Sequence, residues 1–195
     1  DVTSVSVFDY LNEDNANIYV SGAVTEPGYY DLEEFSTLLD LIDALQFVDV
    51  YPWLGVLEQF NKKDYITETI LFSLEDSISY ESIKILPNSR VYFTNLIDRD
   101  FSQTSDLSRQ AINDFSLVIN YKNRAISMPI YGNYSLKSII DFIGLDMSDV
   151  SREATYVSPL ENLIEIKDYA EMEFEAAKYN TVTFKSLARD LINVN

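Results

Sequence analysis

The stretch IYVSGAVTEPGYY, residues 18–30, decides the fold of this chain, because it opens a pattern that the sequence contains twice. In the first copy an amphipathic run over 36–45 follows, and KILPNSRVYF, residues 84–93, closes the pattern. The second copy repeats the same order in four shorter segments: 116–121, 126–131, 135–143 and 177–184. Each copy therefore predicts a β-hairpin, a helix, a variable middle part and a closing strand.

A repeat of this kind predicts two similar small domains in series, of the α+β class. A hairpin, one helix packed across it and later strands that complete the sheet outline a β-grasp domain. We predict a first domain over 1–97 with a lead-in over 1–15, a connection over 98–114, and a second, divergent domain over 115–195. Because a domain of roughly 80–100 residues buries a modest share of its surface, the two copies are expected to pack against each other.

Turn and capping residues mark the first hairpin and the first helix. Pro27 fixes its own φ and Gly28 accepts a positive φ, so residues 26–28 predict a type II turn. Ser36 or Thr37 offers an N-cap for the helix that follows, and Asp40 is placed to complete a capping box.

Later segments are predicted with the same rules. The run Tyr51 to Phe60 has apolar residues at helical spacing and is interpreted as a second helix. Residues 171–177 are compatible with either a helix or a strand. A short helix is predicted within the connection over 105–112, and a capped helix in the second copy over 135–143. Four further strands are predicted: 70–74, 91–94, 154–158 and 180–184.

The charge balance excludes several classes of partner. The chain has 32 Asp and Glu against 14 Lys and Arg, which gives a net charge of −18. Nucleic-acid binding needs a basic stripe that neutralises phosphates, and binding to an anionic lipid leaflet needs a polybasic segment; neither is visible. The acidic residues are scattered, which is typical of a solvated surface. Residues 9–17 are acidic but lack the glycine of a calcium loop.

The residue types available also argue against an enzyme. The sequence has no cysteine and no histidine, which removes thiolate zinc sites, thiol nucleophiles and every triad that uses an imidazole base. With five glycines and no Gly-Lys-Ser/Thr, no phosphate-binding loop is present. Carboxylate pairs are abundant, but no motif marks a glycosidase dyad. We therefore expect no catalysis, no metal and no cofactor. No apolar run reaches the roughly 18–20 residues of a membrane span.

The opening of the first copy resembles a known family, the SLBB (soluble-ligand-binding β-grasp) domains. The family pattern, aliphatic-x-Gly-x-Val-x-x-Pro-Gly-x-Tyr, is matched here by Val20, Gly22, Val24, Pro27, Gly28 and Tyr30. The closing LPNSRVYF, residues 86–93, matches the last turn and strand. The second copy fits in layout only, since Asn120 replaces the glycine region and the Pro-Gly turn is missing. Ala44-Leu45-Gln46 stands where the family usually has Ala-Gly-Gly.

The resemblance implies a function. Tandem SLBB domains are typical of periplasmic polysaccharide export proteins, which stack as rings and contact an inner-membrane copolymerase. The chain is therefore expected to be a non-enzymatic, self-associating module of capsular or exopolysaccharide export, in the periplasm and part of an outer-membrane-associated protein. It lacks the export signature domain, the lipidated cysteine and the C-terminal membrane helix of that family, which fits a fragment or an accessory protein. The alternative is a soluble accessory glycan-binding protein of a capsule locus.

Two groups of residues are candidates for contact. The first is the family motif and its turn: Gly22, Glu26, Pro27, Gly28, Tyr29 and Tyr30. The two glycines are expected to serve backbone geometry, whereas the exposed turn is a possible contact point. Tyr51 and Trp53 form the second group, as possible glycan or partner contacts, because sugars stack on aromatic faces. The competing and favoured interpretation is that Trp53 packs in the core.

Overall fold

The computed structural model of the protein describes residues 16–96, 104–145, 150–157, 164–166, 173–175 and 180–186. Over these residues the fold is α+β, with two mixed five-stranded sheets, a two-stranded sheet and three α-helices. The lead-in over 1–15 and the first part of the predicted connection lie outside the described residues. The predicted domain boundaries stay predictions.

The first sheet is built from the first copy of the repeat. Its strands are β1 (Asn17–Gly22), β2 (Gly28–Asp31), β3 (Val50–Asn61), β4 (Ile66–Phe72) and β5 (Arg90–Asn95), and α1 (Leu38–Ala44) lies between β2 and β3. A 3₁₀ turn, Ser77–Ser79, precedes β5. The strand order is β2-β1-β5-β3-β4, with β1 and β5 parallel and the other neighbours antiparallel.

The second sheet repeats this order. The elements after the connection are α2 (Asp106–Asp114), β6 (Ser116–Tyr121), β7 (Arg124–Pro129), β8 (Asn133–Ser135), α3 (Leu136–Ile143), β9 (Val150–Val157), β10 (Ile164–Ile166), β11 (Glu173–Glu175) and β12 (Asn180–Ser186). The large sheet has the order β10-β9-β12-β6-β7, with β6 and β12 parallel, and β8 pairs with β11. Each large sheet therefore has the first and last strands of its copy side by side and parallel.

The capping residues predicted from the sequence lie at the ends of the observed helices. The Thr37 hydroxyl accepts a hydrogen bond from the backbone N–H of Asp40 at 3.1 Å and donates one to its carboxylate at 2.6 Å. Ser135 caps α3, and Gly144 ends that helix in the left-handed conformation with a φ of 67°. The N-caps, the glycine stop and the short helix in the connection, which is α2, are confirmed. The capping box is not, because the Asp40 carboxylate accepts from the Thr37 hydroxyl and not from the Thr37 backbone N–H.

The helix predicted over Tyr51 to Phe60 is wrong, because these residues lie in β3. One side of β3 contributes Leu57 to the core beneath α1, and Val56 faces the second sheet. A strand that is buried on both faces is apolar nearly throughout, so its pattern does not distinguish a strand from a buried helix. The segment over 171–177 was compatible with either structure, and its described part is strand β11.

The protein has two hydrophobic cores, one on each face of the first sheet. The core beneath α1 contains residues of that helix and of β1, β3, β4 and β5: Leu38, Leu41, Ile42, Ile18, Val20, Leu57, Phe72, Val91 and Phe93. The other core lies between the first sheet and the second copy: Tyr51, Trp53, Val56, Leu71, Tyr92, Ile112, Leu117, Met128, Ile130, Ile139, Ile140 and Val182. The two copies therefore pack against each other, as expected from their small size.

Polar contacts fix how the two copies meet. The Tyr51 hydroxyl donates to the carbonyl of Pro129 at 2.6 Å, and the Tyr131 N–H donates to the carbonyl of Trp53 at 3.0 Å. The Asn133 N–H donates to Oδ2 of Asp76 at 2.7 Å. These bonds satisfy backbone groups at the contact, which would otherwise be costly to bury.

Gly22 provides a test of the close approach of β1 and β5 within the first sheet. Its φ is 92°, and a Cβ built on it would lie 2.0 Å from the carbonyl oxygen of Phe93. We expect Gly22→Ala to lower the free energy of unfolding by more than about 3 kcal/mol, from strain and overlap together. Gly144→Ala is the control, since its φ is also positive but no atom of the described residues lies within 4 Å of the added Cβ, and its cost should be about 1 kcal/mol. Equal losses in urea titrations of the two variants would contradict the close approach at Gly22.

Candidate functional site

A single row of side chains crosses the first sheet from edge to edge. In register, Tyr29 of β2 pairs with Tyr19 of β1, Tyr19 with Arg90 of β5, Arg90 with Glu58 of β3, and Glu58 with Thr69 of β4. Because side chains paired in register share a face, these five lie on one face of the sheet. It is the face that also contacts the second copy, since Val56 lies two residues before Glu58 on the same strand.

A groove follows this row. It consists of two cavities of about 340 and 700 Å³, both lined by Tyr19, Glu58 and Arg90. The smaller cavity extends toward the second copy, and its further lining residues are Ser21, Val56, Tyr92 and Thr104. The larger one extends past the first residue of β5 and reaches Asn17, Tyr29, Gln59, Phe60, Thr67, Asn88 and Ser89. These volumes fall in the range of about 300–1,000 Å³ typical of ligand pockets.

Two tyrosines form the aromatic end of the groove. Their ring centroids are 5.1 Å apart and the rings are tilted by 55°. Tyr19 is 39% exposed and Tyr29 is 76% exposed, so both rings present apolar surface to solvent. Such a cross-strand aromatic pair also stabilises a hairpin, by about 0.2–1 kcal/mol. Its position at the groove therefore permits a structural role, a binding role or both.

The carboxylate of Glu58 is held in place from one side. Its Oε1 accepts hydrogen bonds from the Ser105 N–H at 2.7 Å and from the Ser108 hydroxyl. The Ser108 oxygen also lies 3.0 Å from Oγ1 of Thr69, at the end of the row. Within the described part of the chain these are the only hydrogen bonds of the Glu58 carboxylate, so Oε2 keeps its acceptor capacity. The start of α2 thus orients a carboxylate whose second oxygen can bind a ligand.

The predicted motif residues divide between structure and the groove. Gly22 lies at the end of β1 against Phe93, and Glu26 and Pro27 are exposed in the turn before β2. The Tyr30 hydroxyl donates to the carbonyl of Glu26 at 2.7 Å, which ties the turn to the strand. Burial raises the pKa of Tyr30, and the nearby Glu26 carboxylate raises it further.

The other motif positions lie at the start of β2. Gly28 is its first residue and has a φ of 155°. Tyr29 follows it and is the one residue of the predicted motif that lines the groove. The motif therefore marks the correct hairpin, but of these candidate residues only Glu26 and Pro27 lie between its strands, and Gly28 belongs to β2 and does not have the backbone conformation of the predicted type II turn.

Tyr51 and Trp53 are both buried between the two copies. Their ring centroids are 5.5 Å apart, and Trp53 packs edge-on against Phe142 of α3 at 4.7 Å. Both rings therefore contact other parts of the chain and lie away from the groove, in agreement with the core interpretation of Trp53. The indole Nε1 has no hydrogen-bond partner among the described residues.

Four residues of the row were not predicted as site residues: Tyr19, Glu58, Thr69 and Arg90. For Tyr19 a signal existed, because it alternates with the buried Ile18 and Val20 in a strand-like stretch and so had to face the other side of the sheet. Glu58 was hidden by the mistaken helix. Arg90 carries no local signal, since its place in the row depends on the register of β5 with two other strands.

The described residues contain no group of three or more acidic, histidine or cysteine side chains arranged to hold a metal ion. Within the same ranges, no helix is long and apolar enough to cross a membrane. Comparison with models of known protein families finds no match, and a search of curated proteins also finds none. The groove is therefore the best-defined candidate site in the described part of the chain, and its own chemistry indicates what it can bind.

The contact between the copies yields a second test. Tyr51→Phe removes the donor to the Pro129 carbonyl and should cost about 1–2 kcal/mol of unfolding free energy. Trp53→Phe removes an indole N–H without a partner, so relief of that unpaired group should offset part of the lost packing and keep the cost below about 1 kcal/mol. Trp53→Ala should cost about 3–5 kcal/mol. Urea titrations in which Trp53→Phe is costlier than Tyr51→Phe would contradict the expected offset from the unpaired indole N–H.

Proposed function

We propose that this chain is a non-enzymatic module of a capsular or exopolysaccharide export protein, built from two tandem β-grasp domains of the SLBB type. The observation that carries the proposal is the shared strand order of the two large sheets, with first and last strands parallel at the centre. The motif from Val20 to Tyr30, which resembles the SLBB opening, coincides with the first hairpin. The shared strand order and the motif together support the proposed SLBB type more strongly than either observation does alone.

The contact between the copies suits a structural module. A shared apolar core and three hydrogen bonds across it hold the two sheets in a fixed relation. A ring component needs such rigidity, because each subunit must present two different surfaces at a constant angle to its neighbours. The strongly acidic composition suits a passage surface that does not retain an anionic polymer.

One exposed hairpin tip offers a contact point for self-association. The β3–β4 hairpin ends in Lys62 and Lys63, followed by Tyr65, which is 82% exposed, and the exposed Ile66. The exposed Asp64, between Lys63 and Tyr65, leaves the tip with a net charge of +1. A cationic tip with an exposed ring and an exposed aliphatic chain would complement the acidic surface of a neighbouring copy, whose net charge is −18. Further proposed partners are the exported polysaccharide and an inner-membrane copolymerase, with the protein in the periplasm and associated with the outer membrane.

A second candidate function is a soluble accessory glycan-binding protein of a capsule locus. The observation that favours it is the groove itself, with an exposed tyrosine pair at one end and an oriented carboxylate near the other. Such a protein would act as a monomer, and the groove would be its main functional surface.

Cell fractionation of the source organism separates the two candidates. If the export proposal is correct, the full-length product should be concentrated in the outer membrane and migrate as an oligomer in mild SDS. The double variant Tyr65→Ser/Ile66→Ser should reduce the oligomer, whereas the control Ile78→Ser changes another exposed apolar residue and should not. A soluble periplasmic monomer would overturn the export proposal and favour the accessory glycan-binding protein.

A further inference from the structure

We propose that the four residues of the row that line the groove, Tyr29, Tyr19, Arg90 and Glu58, are a binding site for one or more uncharged sugar units. The inference deepens the proposed function and rests on it for the view that the natural ligand is part of a polysaccharide. It is carried by the combination, in one groove, of an exposed aromatic pair, an oriented carboxylate and several side chains that can donate hydrogen bonds.

The tyrosine pair provides the apolar part of such a site. A sugar ring has a face of C–H groups that can lie against an aromatic ring, while its hydroxyl groups remain at the rim. Tyr29 exposes most of its side chain and Tyr19 more than a third, so a ligand would remove apolar surface from water without displacing protein groups. This burial is favourable, at roughly 25 cal/mol per Å².

Glu58 provides the oriented acceptor. Its Oε1 is occupied by Ser105 and Ser108, which fixes the plane of the carboxylate before any ligand arrives. Hydrogen bonds to an ionised acceptor are about twice as strong as neutral ones, and a preorganised group loses little entropy on binding. A sugar hydroxyl that donates to Oε2 would therefore be held in a defined direction.

The neighbouring side chains match the mixed donor and acceptor character of hydroxyl groups. Arg90 lies between Tyr19 and Glu58 in register and carries five N–H donors in a plane. The amides of Asn17 and Asn88, two residues that line the larger cavity, can each donate and accept. The groove thus offers an apolar platform at one end and a polar row beside it, which is the pattern of a small-molecule site.

Charge favours an uncharged sugar over an acidic one. Arg90 and Glu58 lie in register on adjacent strands, so these two positions of the row carry opposite formal charges that sum to zero. The remainder of the chain is strongly acidic, so a uronate or phosphate group approaching the groove would be repelled. An uncharged sugar unit is not repelled in this way.

The test uses the full chain and four hexasaccharide probes: cellohexaose, maltohexaose, chitohexaose and, as the acidic probe, hexagalacturonate. Amide NMR spectra are recorded with each probe at about 10 mM, which detects binding weaker than a Kd of 1 mM. At least one neutral probe is expected to shift amide signals of residues around Tyr19, Tyr29 and Arg90. Tyr29→Ser should then raise the Kd about fivefold to tenfold, the scale of one lost aromatic contact.

Two further variants separate a binding role from a structural one. Glu58→Gln keeps an oxygen for Ser105 and Ser108 but removes the charge, and it should raise the Kd about fivefold while the urea midpoint changes little. Ile78→Ser removes an exposed apolar side chain that lines neither cavity of the groove, and it should leave the Kd unchanged. If Tyr29→Ser lowers only the urea midpoint and does not weaken binding, the tyrosine pair is a hairpin contact and the inference is wrong.

The remaining outcomes are also decisive. Absence of shifts with all neutral probes, binding of hexagalacturonate alone, or equal weakening by Ile78→Ser would overturn the inference. An outer-membrane oligomer whose groove binds none of these probes would leave the export proposal standing. If a protein that fractionates as a soluble monomer binds a neutral probe, the sugar-binding inference stands and the export proposal is overturned.

Discussion

Burial of β3 on both faces is the constraint on which the rest of the structure depends. Leu57 of this strand belongs to the core beneath α1, while Tyr51, Trp53 and Val56 belong to the core shared with the second copy. A small sheet covered by one short helix would leave its other face in water, where so many apolar side chains would be costly. The second copy covers part of that face, so each half of the chain depends on the other for its stability.

The same arrangement creates the groove. The second copy covers the part of the face that includes Val56, but Glu58, two residues further along β3, remains only half-buried. Glu58 is then reached by Ser105 and Ser108, at the start of the helix that leads into β6. The geometry of the candidate site is therefore coupled to the packing of the two copies, and a change at their contact should alter the direction of the Glu58 carboxylate.

The sequence predicted those features that depend on near neighbours. The caps at Thr37 and Ser135 and the left-handed Gly144 each involve residues within one helical turn, and all three are present. The error over residues 51–60 arose because burial on two faces erases the period that distinguishes a strand from a helix. The row across the first sheet joins residues 19, 29, 58, 69 and 90, whose alignment depends on the pairing of five strands and has no local signature.

The tyrosine pair is the feature for which stability alone gives the weakest explanation. A cross-strand pair adds about 0.2–1 kcal/mol, and β-branched residues can supply much of this with less apolar surface in water. Tyr29 instead leaves 76% of a large ring exposed, at the edge of a groove that also holds an oriented carboxylate. Exposed apolar surface beside preorganised polar groups contributes a favourable free energy only when a ligand covers it and removes it from water. The arrangement of the row is therefore better explained by binding than by the folding of the hairpin.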